Sequence, residues 1–400
     1  MMHPARELSG TKSNKMKGKK IVLGVTGSIA AVETVKLSRE LIRHGAEVFP
    51  VMSRAAQKII HPYALEFATG NEPVTEITGK VQHVEFCGEV QDRADLLLIA
   101  PSTANTISKI AYGIDDTTVT TFATTAIGSK IPVIIVPAMH ISMYNHPIVL
   151  ENIEKLKKMK IAFIEPKIEE HKAKMPEIEE IVAFVMRTIG KGDLNGKKLL
   201  IIAGSTAEDI DDIRTITNRS TGKTGVELAL EAYRRGGEVD LWMGRCQVKL
   251  PDFISIKHFE SFNELMEMTG GINHDIVIIP AAISDYSPNK QEGKIPSGSK
   301  ELTLKLRSNP KIIQKIRKDT DCFLVGFKAE FGVGMDELQE KAKKRMDEIG
   351  LDLMVANDIS NTTQEENQVY IIGKDGKSEE VSGKKEKIAE SILDRVVSLC

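Results

Sequence analysis

The chain has 400 residues, enough for two or three domains whose cores need no covalent staples. A hydrophobic fraction of 41%, a charged fraction of 28% and a net charge of -2 describe an ordinary soluble chain with no bulk electrostatic footprint for nucleic acid. The four cysteines, Cys87, Cys246, Cys322 and Cys400, have no CxxC spacing, and no apolar run is long enough to cross a bilayer, so a zinc or disulfide framework and a membrane span are not expected.

Residues 1–18 are polar and basic and lack the apolar stretch of a signal peptide. They read as a disordered tail, and the chain as cytoplasmic. Then KKIVLGVTGSIAAVETVKLSRELIRHGAEVFPVMS opens a domain expected over 19–190. The β-branched run Ile21–Val25 predicts a strand, Thr26-Gly27-Ser28 a small turn, the next stretch a helix ending at Gly45, and Glu47–Met52 a second strand. Two further strands end in small polar or soft residues. ADLLLIAPSTANT leads to Ser102, Thr103, Asn105 and Thr106, and IPVIIVPAMHISMY to Met139, His140, Met143 and Tyr144. Such groups cap helices, and they also bond a phosphate or the amide edge of a flavin.

TIGKGDLNGKK reads as a linker, and a second domain is expected over 191–400. LLIIAG repeats the strand-and-turn plan, AYRRGGEVDLWMG a helix end and strand, and the C-terminus a hairpin turning at Lys374-Asp375-Gly376 before an amphipathic helix. The fold class is α/β, with two doubly wound, mostly parallel sheets, the first flavodoxin-like. TNRSTGKT, residues 217–224, ends like a P-loop, but Thr217 stands where a P-loop needs glycine and the strand LLIIAG ends well before it. A helix-start segment and a P-loop both remain open on those residues alone.

GSIAA, QHVEF, APSTANT and PAMHISMY, in that order, resemble the flavoprotein decarboxylases, specifically phosphopantothenoylcysteine decarboxylase, over residues 18–185. The resemblance implies FMN held by Gly27, Ser28, Ile29, Ser53, Ser102, Thr103, Asn105, Thr106 and Met139, with His83 as the active-site histidine. His140 takes the place of the family's carboxylate-gripping asparagine. In that family FMN oxidises the thiol of 4'-phospho-N-pantothenoylcysteine, CO2 leaves, and the electrons return to give 4'-phosphopantetheine. The family's proton-donating cysteine has no counterpart in IAFIEPKIEEHKAKMPEIEEI, where Lys172, Lys174 and His171 are candidates by position. Thr117 follows Asp116 where the family's flavin loop has Asn.

The second half is similar to phosphopantothenate–cysteine ligase over 194–400. IIAGSTAEDIDDIRTITNRSTGKTG is followed in order by AAISDY, GKIPSG, SNPKII, GFKAE and VAND. This assigns GKT to a segment handling a phosphorylated substrate. It implies a ligation of cysteine to 4'-phosphopantothenate through an acyl-CMP, with CTP as co-substrate and Mg2+ screening the triphosphate. Asn218 and Lys294 match the catalytic positions. Ile279, Pro280, Ala281, Ala282, Asp285, Asn309, Pro310, Lys311, Ile312, Phe327, Lys344 and Arg345 match the nucleotide site. A further family lysine falls near Ile349 and is missing, and the metal ligands are unassigned. Together the two resemblances imply a bifunctional enzyme of coenzyme A biosynthesis, a homo-oligomer with trimer and dimer contacts, up to a dodecamer. The competing readings are an active ligase joined to an altered flavin-binding or regulatory half, and a peptidyl-cysteine decarboxylase or prenyltransferase-like activity in the first half.

Overall fold

Val22 and its neighbours Ile21, Leu23 and Val25 feed opposite faces of one strand, and both faces are buried. This is the pattern of a parallel sheet covered on both sides. The computed structural model describes residues 3–296, 301–361, 363 and 365–400, and its contacts divide the chain into two units, Met1–Gly190 and Lys191–Cys400.

In the first unit the strands are β1 (Lys20–Val25), β2 (Glu47–Met52), β3 (Leu96–Ser102), β4 (Val133–Pro137) and β5 (Ala162–Phe163). All pair in parallel in the order β2-β1-β3-β4-β5. That is the flavodoxin-like order, whose switch point lies between β1 and β3, so the loops after these strands face one crevice. The helix Thr34–Arg43 returns the chain from β1 to β2, preceded by a 3-10 turn, Ile29–Glu33. Gly45, at φ +95°, closes it where an added Cβ would lie 3.0 Å from the backbone of Lys17.

That contact corrects the expectation of a disordered tail. Pro4–Glu7 form a helical turn, and Met16 is fully buried in the same core as Leu37 and Leu41. The N–H groups of Lys12 and Met16 donate to the carbonyls of Arg43 and His44 at 2.9 Å, and Lys12 is ion-paired with Glu40. The segment therefore supplies donors to carbonyls that a helix C-terminus leaves unpaired.

In the second unit the strands are β6 (Lys198–Ala203), β7 (Glu238–Met243), β8 (Ser255–His258), β9 (Ile276–Ile279), β10 (Phe323–Glu330), β11 (Leu353–Asp358), β12 (Glu366–Gly373) and β13 (Ser378–Lys384). They form a sheet in the order β8-β7-β6-β9-β10-β11-β12-β13, parallel as far as β11 and antiparallel for the last two. The C-terminal hairpin turns through Gly376 at φ +80°. The final helix, Lys385–Leu399, buries Ile388, Ala389, Ile392, Leu393 and Val396, one helical face. Among the described residues no helix is long and apolar enough to cross a membrane, and all four cysteines are free.

Candidate functional site

In the first unit the ends of β1 and β3 are tied by one side chain. Thr26 Oγ1 donates to the carbonyl of Pro101 at 2.8 Å and accepts the N–H of Thr103 at 3.1 Å. Beside it, a Cβ on Gly27 would lie 2.5 Å from the Cβ of Ala55, so the turn after β1 has no room for a side chain there. The N–H of Ser53 donates to Val25 at 3.0 Å, and its hydroxyl accepts from Ala56 at 3.2 Å. Gly27, Ser28, Ser53, Ser102 and Thr103 thus stand at adjacent strand ends. Thr103 caps the helix Ala104–Ala111, accepting from Thr106 N at 3.4 Å with its hydroxyl 3.2 Å from that of Thr106. Ser102 is different: it is fully buried and its hydroxyl has no partner. Asn105 is exposed on the first turn, Ile29 is 77% exposed, and Met139 is half-buried after β4. Thr117, after Asp116, caps the helix Thr118–Gly128, while Asp116 takes both bonds of Lys109 at 2.8 Å.

His83 lies in the short helix Gln82–Cys87, with its ring edge-on to Phe122 at 6.3 Å between centroids. Its Nδ1 is buried without a partner. Cys87 follows it, but burial pushes that thiol up to about 12, which makes it a poor proton donor.

His140 and Met139 form a two-residue strand paired with Lys172–Lys174, so that His140 faces Lys172 and Met139 faces Ala173. The hairpin Lys167–Glu169/Lys172–Lys174 turns through Glu170 and His171, both left-handed at φ 49° and 60°, as a tight two-residue turn requires. Ile141 N donates to the carbonyl of His171 at 3.0 Å. The His140 Nδ1 accepts from Ser142 N at 3.2 Å. Lys174 is held by Glu170 at 2.8 Å and Glu169 at 3.3 Å, and these bonds raise its ammonium above the ordinary value. A cavity of about 990 Å3 is lined by Ser28, Ile29, Met139, His140, Lys172 and Lys174, among others. His83, Ser53 and the Ser102–Thr106 segment do not line it.

In the second unit three loops that are far apart in sequence are knitted together. Ala282 N donates to Gly204 at 2.8 Å, Thr206 Oγ1 bonds Ser284 Oγ at 2.8 Å, and Thr217 Oγ1 donates to Thr206 O at 2.6 Å. The Asn218 amide donates to Ala282 O at 3.2 Å. Asn309 N donates to Asp285 O at 2.8 Å, and its side chain donates to Ser284 O at 2.9 Å and Ser287 Oγ at 2.8 Å. Lys311 is ion-paired with Asp285. So Ala281, Ala282, Asp285, Asn309, Pro310 and Lys311 share one edge with Asn218. Ile279 and Ile312 are buried in the core, so their contribution there is through the backbone. Phe327 is half-buried along β10. On the helix Met335–Ile349, Lys344 is exposed and Arg345 pairs with Glu348 at 3.6 Å.

The GKT segment begins the helix Lys223–Arg234, with Gly222 at φ +77° as its cap. The preceding strand is Thr215–Thr217, paired in a hairpin with Ala207–Asp209 rather than central in the sheet. A Cβ on Gly225 would lie 2.1 Å from that of Ala203, so this glycine serves close packing of the helix on β6. Lys223 bonds Glu365 at 2.5 Å. The geometry is that of a helix start, without the strand-to-helix loop of a P-loop.

The acidic stretch EDIDD, residues 208–212, is not among the residues singled out from the sequence. In the structure it holds the loop that carries Lys294. Lys290 pairs with Asp209 at 2.9 Å and Asp212 at 3.2 Å. Gly293 N donates to Asp212 at 2.8 Å and Ile295 N to Asp211 at 3.0 Å. Asp211 is buried, and its side chain also accepts from Ile213 N, Arg214 N and the Arg214 guanidinium. Lys294 itself is exposed. The last two residues of GKIPSG lie outside the described residues.

Two families match the chain: Flavoprotein over residues 9–190, and the DNA/pantothenate metabolism flavoprotein C-terminal domain over residues 194–399. A Thermococcus kodakarensis protein named Coenzyme A biosynthesis bifunctional protein CoaBC is 51% identical over 99% of this chain and 99% of its own. The protein of that name from Methanocaldococcus jannaschii is 43% identical over 100% of this chain and 98% of its own. A third, from Borreliella burgdorferi, is 33% identical over 94% and 98% respectively.

Proposed function

The chain belongs to the family of coenzyme A biosynthesis bifunctional proteins, and from that premise we propose which unit performs which reaction. The second unit joins cysteine to 4'-phosphopantothenate, and the first decarboxylates the resulting 4'-phospho-N-pantothenoylcysteine to 4'-phosphopantetheine. The observation that carries this is identity of 51% along 99% of the chain to a protein of that name, with one family on each unit.

In the second unit a carboxylate is a poor acyl donor until its oxygen is converted into a leaving group. The substrate carboxylate attacks the α-phosphorus of a nucleoside triphosphate, and pyrophosphate leaves. The cysteine amine then attacks the acyl carbon and the nucleoside monophosphate departs. Asn218, oriented by Ala282 O, donates to the acyl-nucleotide, and the Lys294 ammonium meets the phosphates. Asp285 accepts from an exocyclic base amine, which cytosine supplies, in keeping with CTP as the co-substrate that the resemblance implies. Asn309 and Lys311 border the same edge. Mg2+ arrives on the triphosphate and screens its charge.

In the first unit the residues fit FMN on two counts. The Gly27 turn admits a close approach, since a side chain there would strike Ala55, and the buried Ser102 hydroxyl lacks a partner. Gly27, Ser28, Ile29, Ser53, Ser102, Thr103, Asn105, Thr106 and Met139 would hold it. When bound, FMN supplies a reversible two-electron oxidation at the thiol, which provides the electron sink that loss of CO2 needs. His83 takes the thiol proton. His140, with Nδ1 occupied by Ser142 N, presents Nε2–H to the substrate carboxylate. Lys172 is the proton donor that geometry favours, because Lys174 is held by two glutamates. The assembly is a homo-oligomer acting in the cytoplasm.

One incubation tests this. Purified protein, FMN, Mg2+, 4'-phosphopantothenate, cysteine and CTP are followed by mass spectrometry, with ATP in a parallel reaction. Phosphopantetheine is expected, faster with CTP. Accumulation of phosphopantothenoylcysteine alone sinks the decarboxylase half, and no amide with either nucleotide sinks the ligase half.

A further inference from the structure

The cavity beside His140 is lined by five cationic side chains, Lys36, Arg39, Arg43, Lys172 and Lys174. One wall is the helix Thr34–Arg43, which presents Lys36, Arg39 and Arg43 at helical spacing on a single face. Another is the pairing of His140 with Lys172. Most of these cations are matched. Lys36 pairs with Glu33 at 3.0 Å, Arg43 with Glu40 at 3.0 Å, and Lys174 with Glu170 at 2.8 Å. Glu40, beside Arg39 in sequence, is also engaged by Lys12. The side chains of Arg39 and Lys172 make no hydrogen bond or ion pair among the described residues, although, beside the bond from Lys174, the charge of Lys172 helps to hold the Glu170 carboxyl below its ordinary value. Glu179 stands exposed on the rim and bonds to neither.

Arg39 is half-buried, and its guanidinium keeps five donors that no protein group occupies and that an anion can meet. The two free cations also differ in chemistry. A planar guanidinium matches phosphate oxygens two at a time, whereas an ammonium is a point charge. Lys172 stands opposite His140 in an antiparallel pair, which places the two side chains on the same face as neighbours.

We infer that this cavity receives a substrate with two anionic ends, its phosphate on Arg39 and its carboxylate on Lys172 and His140. The inference rests on the reading that the first unit decarboxylates a phosphorylated cysteine amide. It adds a consequence: the reaction removes one of the two anionic ends, so the product keeps its hold on Arg39 and loses its hold on Lys172.

The test uses the full-length, flavin-loaded enzyme and compares 4'-phospho-N-pantothenoylcysteine with its dephosphorylated form. Arg39→Ala is expected to lower the preference in kcat/KM for the phosphorylated form about 10- to 100-fold, with partial recovery in Arg39→Lys. It also weakens inhibition by the product phosphopantetheine. Lys172→Ala lowers kcat/KM for both forms while leaving product inhibition unchanged. Equal losses for both forms in Arg39→Ala, with bound-flavin absorbance intact, overturn the assignment. A wild-type enzyme that decarboxylates neither form sinks the decarboxylase reading instead. Calorimetric binding of the two compounds to wild type and Arg39→Ala then still decides the subsite, since equal affinities for both compounds in wild type overturn it.

Discussion

Asp211 accepts the backbone N–H of Ile295 at 3.0 Å, and with the matching bond from Gly293 to Asp212 at 2.8 Å it fixes both neighbours of Lys294. A lysine acting on phosphates from a surface loop is effective only if its backbone is already placed. Asp211→Ala is therefore expected to lower kcat for pyrophosphate release about 10- to 100-fold. Decarboxylation of added phosphopantothenoylcysteine should be unchanged. A continuous pyrophosphate assay checks the first expectation and CO2 release the second.

The same carboxylate has a pH signature. Burial pushes Asp211 up, but the N–H bonds from Ile295, Ile213 and Arg214 and the charge of Arg214 outweigh it and hold the group down at about 2. An unfolded aspartate titrates near ~3.9. A depressed folded value stabilises the native state above the unfolded value, and that contribution disappears as pH falls toward about 2. The difference in melting temperature between wild type and Asp211→Asn should be full at pH 5 and shrink steadily below pH ~4. A gap that stays constant to pH ~2 contradicts this account of the bracket.

The bond from Ser142 N to His140 Nδ1 at 3.2 Å leaves a lone pair at Nδ1 and the proton at Nε2. An asparagine keeps a donor for the carboxylate, whereas alanine does not. His140→Asn should retain most decarboxylase activity, and His140→Ala should lose about 10- to 100-fold in kcat/KM, the worth of a charge-assisted hydrogen bond. Equal losses in both variants would remove His140 from carboxylate binding.

Met16 is fully buried among Leu37 and Leu41. Met16→Ala should destabilise the first unit by about 2–4 kcal/mol, as for other large-to-small core changes. Denaturant melts followed through bound-flavin fluorescence measure it. No change in midpoint would mean that residues 3–18 pack only loosely.

The sheet strands were legible because a doubly covered parallel sheet needs continuous apolar runs, and LLIIA or VIIVP carries that signal in itself. Met16 was not legible: one apolar residue in a polar stretch has no period, and its burial depends on carbonyls left open at residues 42–44 of another element. The role of EDIDD was hidden for the same reason. Asp211 and Asp212 act on residues 293–295, about eighty positions away, and only the folded hairpin brings them together. His140 shows the opposite difficulty. Its capping bond recurs at His3, His61 and His146, so local geometry alone does not single it out. What distinguishes it is the strand pairing with Lys172, a contact between segments.

Ile349 stands where the resemblance to the ligase pattern implies a lysine, and the fold gives the isoleucine a packing role. The helix Met335–Ile349 buries Leu338, Ala342, Met346 and Ile349 along one stripe, and Ile349 is 8% exposed in the second unit's core. A lysine at this position would remove apolar burial and bring an ammonium to the core edge. Part of that cost is relieved because its stem can reach past the helix end. Ile349→Lys is expected to destabilise the unit by about 1–3 kcal/mol without raising ligase kcat. Urea melts and the pyrophosphate assay read the two effects separately. A variant as stable as wild type and faster in ligation would show that the position faces the phosphates after all, and that isoleucine has cost the site a contact.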